Sequence, residues 1–187
     1  MPSSAITRTP RSQFPVPLWL VVRGDDHPKA CTGRRLVHQR VVRIARGALR
    51  GPGPIALDPY ASTVLSGRDR THAERFGILV VDCSWKRLSE RGHFEEGESP
   101  SEVRRRLPFL LATNPQHFGR VGQLNSAEAF AAALAVLGHE SEARALLAPF
   151  HGASSFFEVN AARMGRYRRA QSPRAMLAAE RGAFSDL

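Results

Sequence analysis

The stretch Gly77-Ile-Leu-Val-Val-Asp-Cys-Ser-Trp85 limits what this chain can fold into more than any other. Phe76 and Ile78 to Val81 form an apolar run that stops abruptly at Asp82-Cys83-Ser84-Trp85. A strand with apolar side chains at successive positions must bury both faces, which requires layers on either side of a mainly parallel sheet. Ligands of such open sheets bind beyond the carboxyl ends of the strands, where Asp82 and Trp85 would lie. A carboxylate and an indole at that place suit a polar, partly apolar ligand. The plainer alternative is that Asp82 caps the following helix and Trp85 is core, and the strand alone does not separate the two.

Four further segments have strand character: 17–22, 41–44, 55–57 and 104–112. Thr32-Gly33 suits a helix start whose N–H groups can meet an anion, with Arg34 and Arg35 adding positive charge. Ser66 to Arg70 reads as a second helix start, residues 86–91 as a short helix and residues 92–101 as a polar loop. Thr113-Asn114-Pro115 closes the last of these strands, a Gly-containing loop runs on to Gly122, and beyond it the pattern is helical. An Ala-rich helix is expected from an N-cap at Ser126 to Leu137 with Gly138 closing it, then helices at 141–147 and 156–170. The expected organisation is therefore a disordered basic tail at 1–16, an α/β domain at 17–111, a helical domain at 112–172 and a tail of weak helical potential at 173–187.

With 187 residues, 42% hydrophobic and 24% charged, the chain can bury one good core. No apolar run approaches the roughly 18 residues of a membrane span, so no membrane partner is expected. Cys31 and Cys83 stand in unrelated contexts and the seven histidines show no ligand spacing, so no metal and a reduced, cytoplasmic chain are expected. Net charge is +10, and all 27 basic residues except Lys29 and Lys86 are arginine. Guanidinium matches phosphate geometry, and this excess favours a polyanionic partner such as nucleic acid or a ribonucleoprotein. A basic surface kept soluble by its charge is the alternative.

At this point the chain resembles the SPOUT-like small-subunit rRNA aminocarboxypropyltransferases. The matching pieces are DDHPKACTGRRL (25–36), IALDPYASTVLSGRDR (55–70), GILVVDCSW (77–85), RRLPFLLATNP (105–115), LNSAEAFAAAL (124–134) and LGHESEARALLAPFHGASSFFEVN (137–160), with Tyr167 beyond. Together they span about residues 17–172, and the DCSW and RxLPxLxATNP blocks are the specific ones. The resemblance implies an α/β fold, with a mainly parallel sheet and a trefoil knot, followed by an all-helical C-terminal domain. It also implies transfer of the 3-amino-3-carboxypropyl group of S-adenosylmethionine to N3 of a (methyl)pseudouridine in small-subunit rRNA, releasing 5′-methylthioadenosine. By the same resemblance Thr32 would meet the cofactor's amino-acid tail, Val81 would offer backbone to the ribose, and Asp82 would lie near the amino group or the reacting carbon. Trp85, with Leu88 one turn later, would wall off the methyl, and Leu110, Leu111, Leu124, Asn125 and Ala129 would frame the adenine. Asp82 is then the one candidate general base. Two departures from the family pattern are Phe118, in place of a tyrosine in N-P-x-x-Y-G, and His151, in place of a tryptophan.

No separate motif marks RNA binding. Arg34, Arg35, Arg104, Arg105, Arg106, Arg120, Arg166, Arg168 and Arg169 are the clusters expected around the substrate groove. Small-subunit rRNA or a pre-ribosomal particle is the expected partner, and a monomer the expected state. A methyltransferase of the same fold and a non-catalytic RNA-binding assembly factor remain as alternatives.

Overall fold

In the computed structural model, residues 14–23, 32–45, 52–91 and 103–183 are described. The tail before residue 14, the turn expected after Arg23 and the polar loop at 92–101 lie outside them. Five parallel strands form one sheet: β1 (Leu18–Val22), β2 (Arg43–Ile44), β3 (Ile55–Leu57), β4 (Ile78–Asp82) and β5 (Arg104–Arg105), in the order β2-β1-β4-β3-β5. The apolar run 78–81 is thus the central strand. It pairs with β1 from Leu18↔Ile78 to Val22↔Asp82 and with β3 from Ile55↔Ile78 to Leu57↔Val80. All five of its residues are buried.

The two faces of β4 serve different layers. Ile78 and Val80 join the larger core, which runs on through Phe130, Leu134, Phe156 and Met176 without interruption. Leu79 and Val81 join a smaller cluster with Ala56 and Leu88, against which Trp19 and Trp85 pack. Between sheet and flanks run α1 (Thr32–His38), a 3-10 turn at Gly67–Asp69, α2 (Arg70–Phe76) and α3 (Trp85–Arg91). The C-terminal half consists of α4 (Ser126–Val136), α5 (Glu140–Leu147), α6 (Ala153–Val159), α7 (Ala161–Tyr167) and α8 (Pro173–Ala183). All of α4 except Ala129 is buried, because the sheet covers one side and α5 the other. Alanine on every face permits that close approach.

Four expectations need correction. The N-cap of α4 is Asn125, not Ser126: Asn125 accepts from the Glu128 N–H at 2.9 Å while Glu128 Oε2 accepts from the Asn125 N–H at 2.9 Å, a capping box. The helix expected at 156–170 is two helices broken at Asn160. Its buried amide accepts from the Leu111 N–H and donates to the Leu111 and Phe156 carbonyls, each at 2.9 Å. The strand expected at 104–112 pairs regularly only over Arg104–Arg105, with a further bridge between Arg106 and Val64. Pro108 has no N–H to offer a ladder, and the backbone of Phe109 and Leu111 is bonded by side chains of α7, α8 and Asn160 instead.

The fourth correction is the tail after Ser172, which forms α8 and buries Met176 and Glu180. Glu180 accepts two bonds from Arg106, at 2.7 and 2.6 Å, and a third from the Phe109 N–H at 2.8 Å. Side-chain exposure is 15% for Arg106 and 7% for Glu180, so the pair is shielded from water. Removing one partner of such a pair strands the other charge. We therefore expect Glu180→Ala to lower unfolding free energy in urea by about 3 kcal/mol or more, and Leu177→Ala, on the exposed side of α8, by much less.

Candidate functional site

Asp82 ends the central strand and is buried despite its charge. Two neighbours fix it. The Ser126 hydroxyl, at the start of α4, donates to Asp82 Oδ1. On the other side α1 presses in at Gly33, where a Cβ would stand 2.5 Å from Asp82 Oδ2 and 2.9 Å from Leu20 Cδ2. Glycine is needed there for lack of space, not for an unusual backbone angle. The carboxylate is therefore held between two helix starts that the chain supplies 94 residues apart, at 32 and 126.

Trp85 opens α3 three residues beyond the end of the strand. Its indole N–H donates to the Leu124 carbonyl at 2.9 Å, which locks the ring against the loop that leads into α4. Leu88, one turn further, is buried behind it, and its carbonyl accepts from the Tyr60 hydroxyl at 3.2 Å. Trp85 is neither plain core nor free to rotate.

The opposite wall is the segment 106–109. Arg106 is gripped by Glu180 and stacks 4.9 Å over the Phe109 ring, and the Tyr167 hydroxyl donates to the Phe109 carbonyl at 2.9 Å. Bonding to Glu180 pushes the Arg106 pKa up from its usual value, and burial pushes the Tyr167 phenol up as well. Both groups hold their ordinary protonation state across the physiological range. Behind this wall Glu128, 2% exposed, gathers the next turn. Its Oε1 accepts from the Thr113 N–H at 2.8 Å and its Oε2 from the Asn114 amide at 2.6 Å. Gly152, at φ 81°, lies so close to Thr113 that a Cβ would stand 2.5 Å from the Thr113 carbonyl oxygen.

Together these elements enclose a cavity of about 250 Å³ beyond the carboxyl ends of β3 and β4. Of the cofactor residues expected from sequence, Thr32, Val81, Asp82, Trp85, Leu88, Leu124, Asn125 and Ala129 line it. Leu110 and Leu111 do not. Leu110 is fully buried in the core and Leu111 is clasped by Asn160, so Leu107, Pro108 and Phe109 form the wall in their place. Residues that sequence reasoning missed at the cavity include Ser126, Leu57, Asp58, Gln116 and His117. The N-x-x-E spacing of Asn125 and Glu128 was a readable cap signal that would have freed Ser126 for another role. No such signal marked the others.

The cavity lining combines polar residues, Thr32, Asp82 and Ser126, with an apolar slot of Leu57, Leu88, Trp85 and Pro108. Among the described residues, no group of three or more His, Cys, Asp and Glu side chains could hold a metal ion.

The expected RNA-binding arginines divide into two groups. Arg104 pairs with Asp58 at 3.3 Å, Arg105 with Asp69 at 3.0 Å and Arg106 with Glu180, so each has a carboxylate partner inside the fold. Arg34 and Arg35 are exposed on α1, where Arg35 stacks 4.7 Å over Phe150 and donates to the Pro149 carbonyl. Arg120 is exposed on the turn beside the cavity, and Arg166, Arg168 and Arg169 on and just after α7, with Arg168 paired to Glu140.

Fold and site thus define an α/β protein with a cavity at the carboxyl edge of a parallel sheet roofed by C-terminal helices. Residues 55–184 match the family model described as "Ribosome biogenesis protein, C-terminal". The chain is 38% identical over 164 residues to the 16S rRNA aminocarboxypropyltransferase of Methanosarcina acetivorans, covering 87% of this chain and 91% of that one. It is 38% identical over 149 residues to the 18S rRNA aminocarboxypropyltransferase of Schizosaccharomyces pombe, covering 80% of this chain and 50% of that one. In structure it is similar to the SAM-dependent rRNA:acp-transferase from Vulcanisaeta distributa, with a TM-score of 0.77 and 31% identity over 92% of this chain and 90% of that one. The chain belongs to the 16S/18S rRNA aminocarboxypropyltransferase family.

Because the Trp85 indole forms one wall of the slot, Trp85→Ala should weaken S-adenosylmethionine binding by calorimetry roughly thirtyfold, about 2 kcal/mol. Gly33→Ala, which drives a methyl into Asp82, should weaken it too. Arg166→Ala, far along α7, should leave it unchanged.

Proposed function

We propose that the protein transfers the 3-amino-3-carboxypropyl group of S-adenosylmethionine to N3 of a pseudouridine, or its methylated form, in small-subunit rRNA, releasing 5′-methylthioadenosine during ribosome biogenesis. The observation that carries this reading is the pairing of a fixed carboxylate, Asp82, with a fixed indole wall, Trp85, in one cavity of a chain from this family. When bound, the cofactor supplies a sulfonium with three electrophilic carbons and its own good leaving group.

The protein's part is therefore selection and orientation. Trp85, locked by Leu124 and backed by Leu88, would cover the methyl. Thr32 and Asp82 would hold the carboxylate and the ammonium of the tail, Val81 the ribose, and Leu57, Pro108 and Leu124 the adenine. Asp82 is a ligand first in this reading. Its carboxylate already accepts from Ser126 and has Gly33 pressed against its other oxygen, so its position is set before any ligand arrives. Arg34, Arg35 and Arg120 would face the RNA backbone.

We further propose that the path from Leu107 to Ser126 belongs to a SPOUT-like trefoil knot, and that the protein works as a cytoplasmic monomer without a metal. The parallel sheet, the cavity at its carboxyl edge and the family resemblance support the knot. A methyltransferase of the same fold is the competing reading, and it would need the methyl carbon exposed at the slot that Trp85 closes. Incubation of small-subunit rRNA with S-adenosylmethionine labelled separately in the methyl and carboxyl positions decides between them. Carboxyl label in the RNA with released methylthioadenosine is expected, and methyl label in the RNA would refute the proposal.

A further inference from the structure

The turn beside the cavity has features that cofactor binding does not use. Between Leu110 and Gly122 the chain doubles back as a small hairpin: Gly122 N–H donates to the Leu110 carbonyl at 2.8 Å, Ala112 N–H to Arg120 at 3.0 Å and Gly119 N–H to Ala112 at 2.8 Å. Its tip is fixed as well, since Asn114 accepts from the His117 N–H at 3.0 Å and itself donates to Glu128. A turn held this firmly has no backbone freedom with which to tuck an apolar side chain away.

This hairpin nevertheless exposes apolar side chains. Phe118 is 69% exposed and Val121 45%, and Phe109, just before the hairpin on the cavity wall, is 45% exposed, three of the seven exposed large hydrophobics among the described residues. Single exposed apolar residues are ordinary, but a concentration of them on one rigid turn marks a contact surface. Arg120 lies two residues from Phe118 and is exposed. Gln116 and His117, on the same turn, line the cavity, and the buried Nδ1 of His117 has no hydrogen-bond partner among the described residues.

We infer that this hairpin is a stacking platform for an unpaired base of the RNA substrate, with Phe118 as the aromatic surface and Arg120 on the adjoining phosphate. The inference rests on the proposed rRNA substrate and adds where and how the strand is held. An acceptor base must leave its stack to reach a carbon inside the cavity, and the protein must replace the lost stacking on its own surface. An exposed aromatic two residues from an exposed arginine, on the turn whose Gln116 and His117 line the cavity, supplies that replacement and suits single strands of any sequence. A protein partner would also accept an apolar turn, but the net charge of +10 favours a polyanion.

Binding of a fluorescein-labelled uridine-rich single-stranded RNA and of its duplex, followed by anisotropy with S-adenosylmethionine present, tests this. Phe118→Ala should weaken single-strand binding roughly tenfold and duplex binding less than twofold, with cofactor affinity unchanged, and Phe118→Trp should restore it. Arg120→Gln should reduce the slope of log affinity against log salt by about one for both RNAs. In the transfer reaction the loss should fall on KM for rRNA. Unchanged single-strand binding by Phe118→Ala overturns the platform, and so does an equal loss for duplex and single strand. A wild-type protein that binds the cofactor but neither RNA overturns the rRNA reading itself, which a failure of the Phe118 variants alone would not.

Discussion

Beyond Arg106 the chain leaves the sheet, and its backbone polar groups must be satisfied by something other than a neighbouring strand. That constraint organises the C-terminal half. Buried N–H and C=O groups left unpaired cost more than most contacts return, and three buried side chains meet the need: Glu180 from α8, Asn160 from the break between α6 and α7, and Glu128 from α4. Each serves a different stretch, at Phe109, Leu111 and Thr113–Asn114 in turn. The helices thus do more than cover the sheet, because they hold in place a wall that has no secondary structure of its own over residues 107–110.

From this follows the asymmetry of the cavity. One side is built on the most regular element, β4, whose tip places Asp82, with α3 placing Trp85 directly after it. The other side is irregular chain whose position depends on side chains tens of residues away in sequence, such as the Arg106–Glu180 pair at a separation of 74. The two walls come from both halves of the protein, which one continuous core joins.

How far this was legible depends on where each signal lay. The central strand and its tip were readable because an unbroken apolar run has few other meanings, and Thr32, Val81, Asp82 and Trp85 followed from it or from the family's motif blocks. Leu110 and Leu111, carried over from the family resemblance, do not line the cavity while Leu107 to Phe109 do, because side chains and not a ladder set the path of the chain after Arg106. Asn160 fits a helical pattern well enough to hide a helix break. Glu180 sits on the buried face of α8, where a carboxylate reads as surface and obscures the amphipathic stripe that Met176 would otherwise announce. The arginines at 104–106 look like a basic patch in sequence, yet their partners Asp58, Asp69 and Glu180 are scattered along the chain.

The same features bear on how such a site would choose one carbon of a sulfonium from three. All three bonds to sulfur are of similar strength, so selectivity cannot come from the leaving group and must come from which carbon the acceptor can approach. An apolar wall serves this only if it cannot swing away, and an indole on an unrestrained side chain would not qualify. The Trp85 N–H bond to the Leu124 carbonyl removes that freedom. Leu124 is itself tied to the loop that the Asn125–Glu128 capping box closes. The Trp85 ring is therefore held through a loop that the Glu128 carboxylate closes. Asp82, with Ser126 on one oxygen and Gly33 against the other, is likewise a fixed point of the cavity lining.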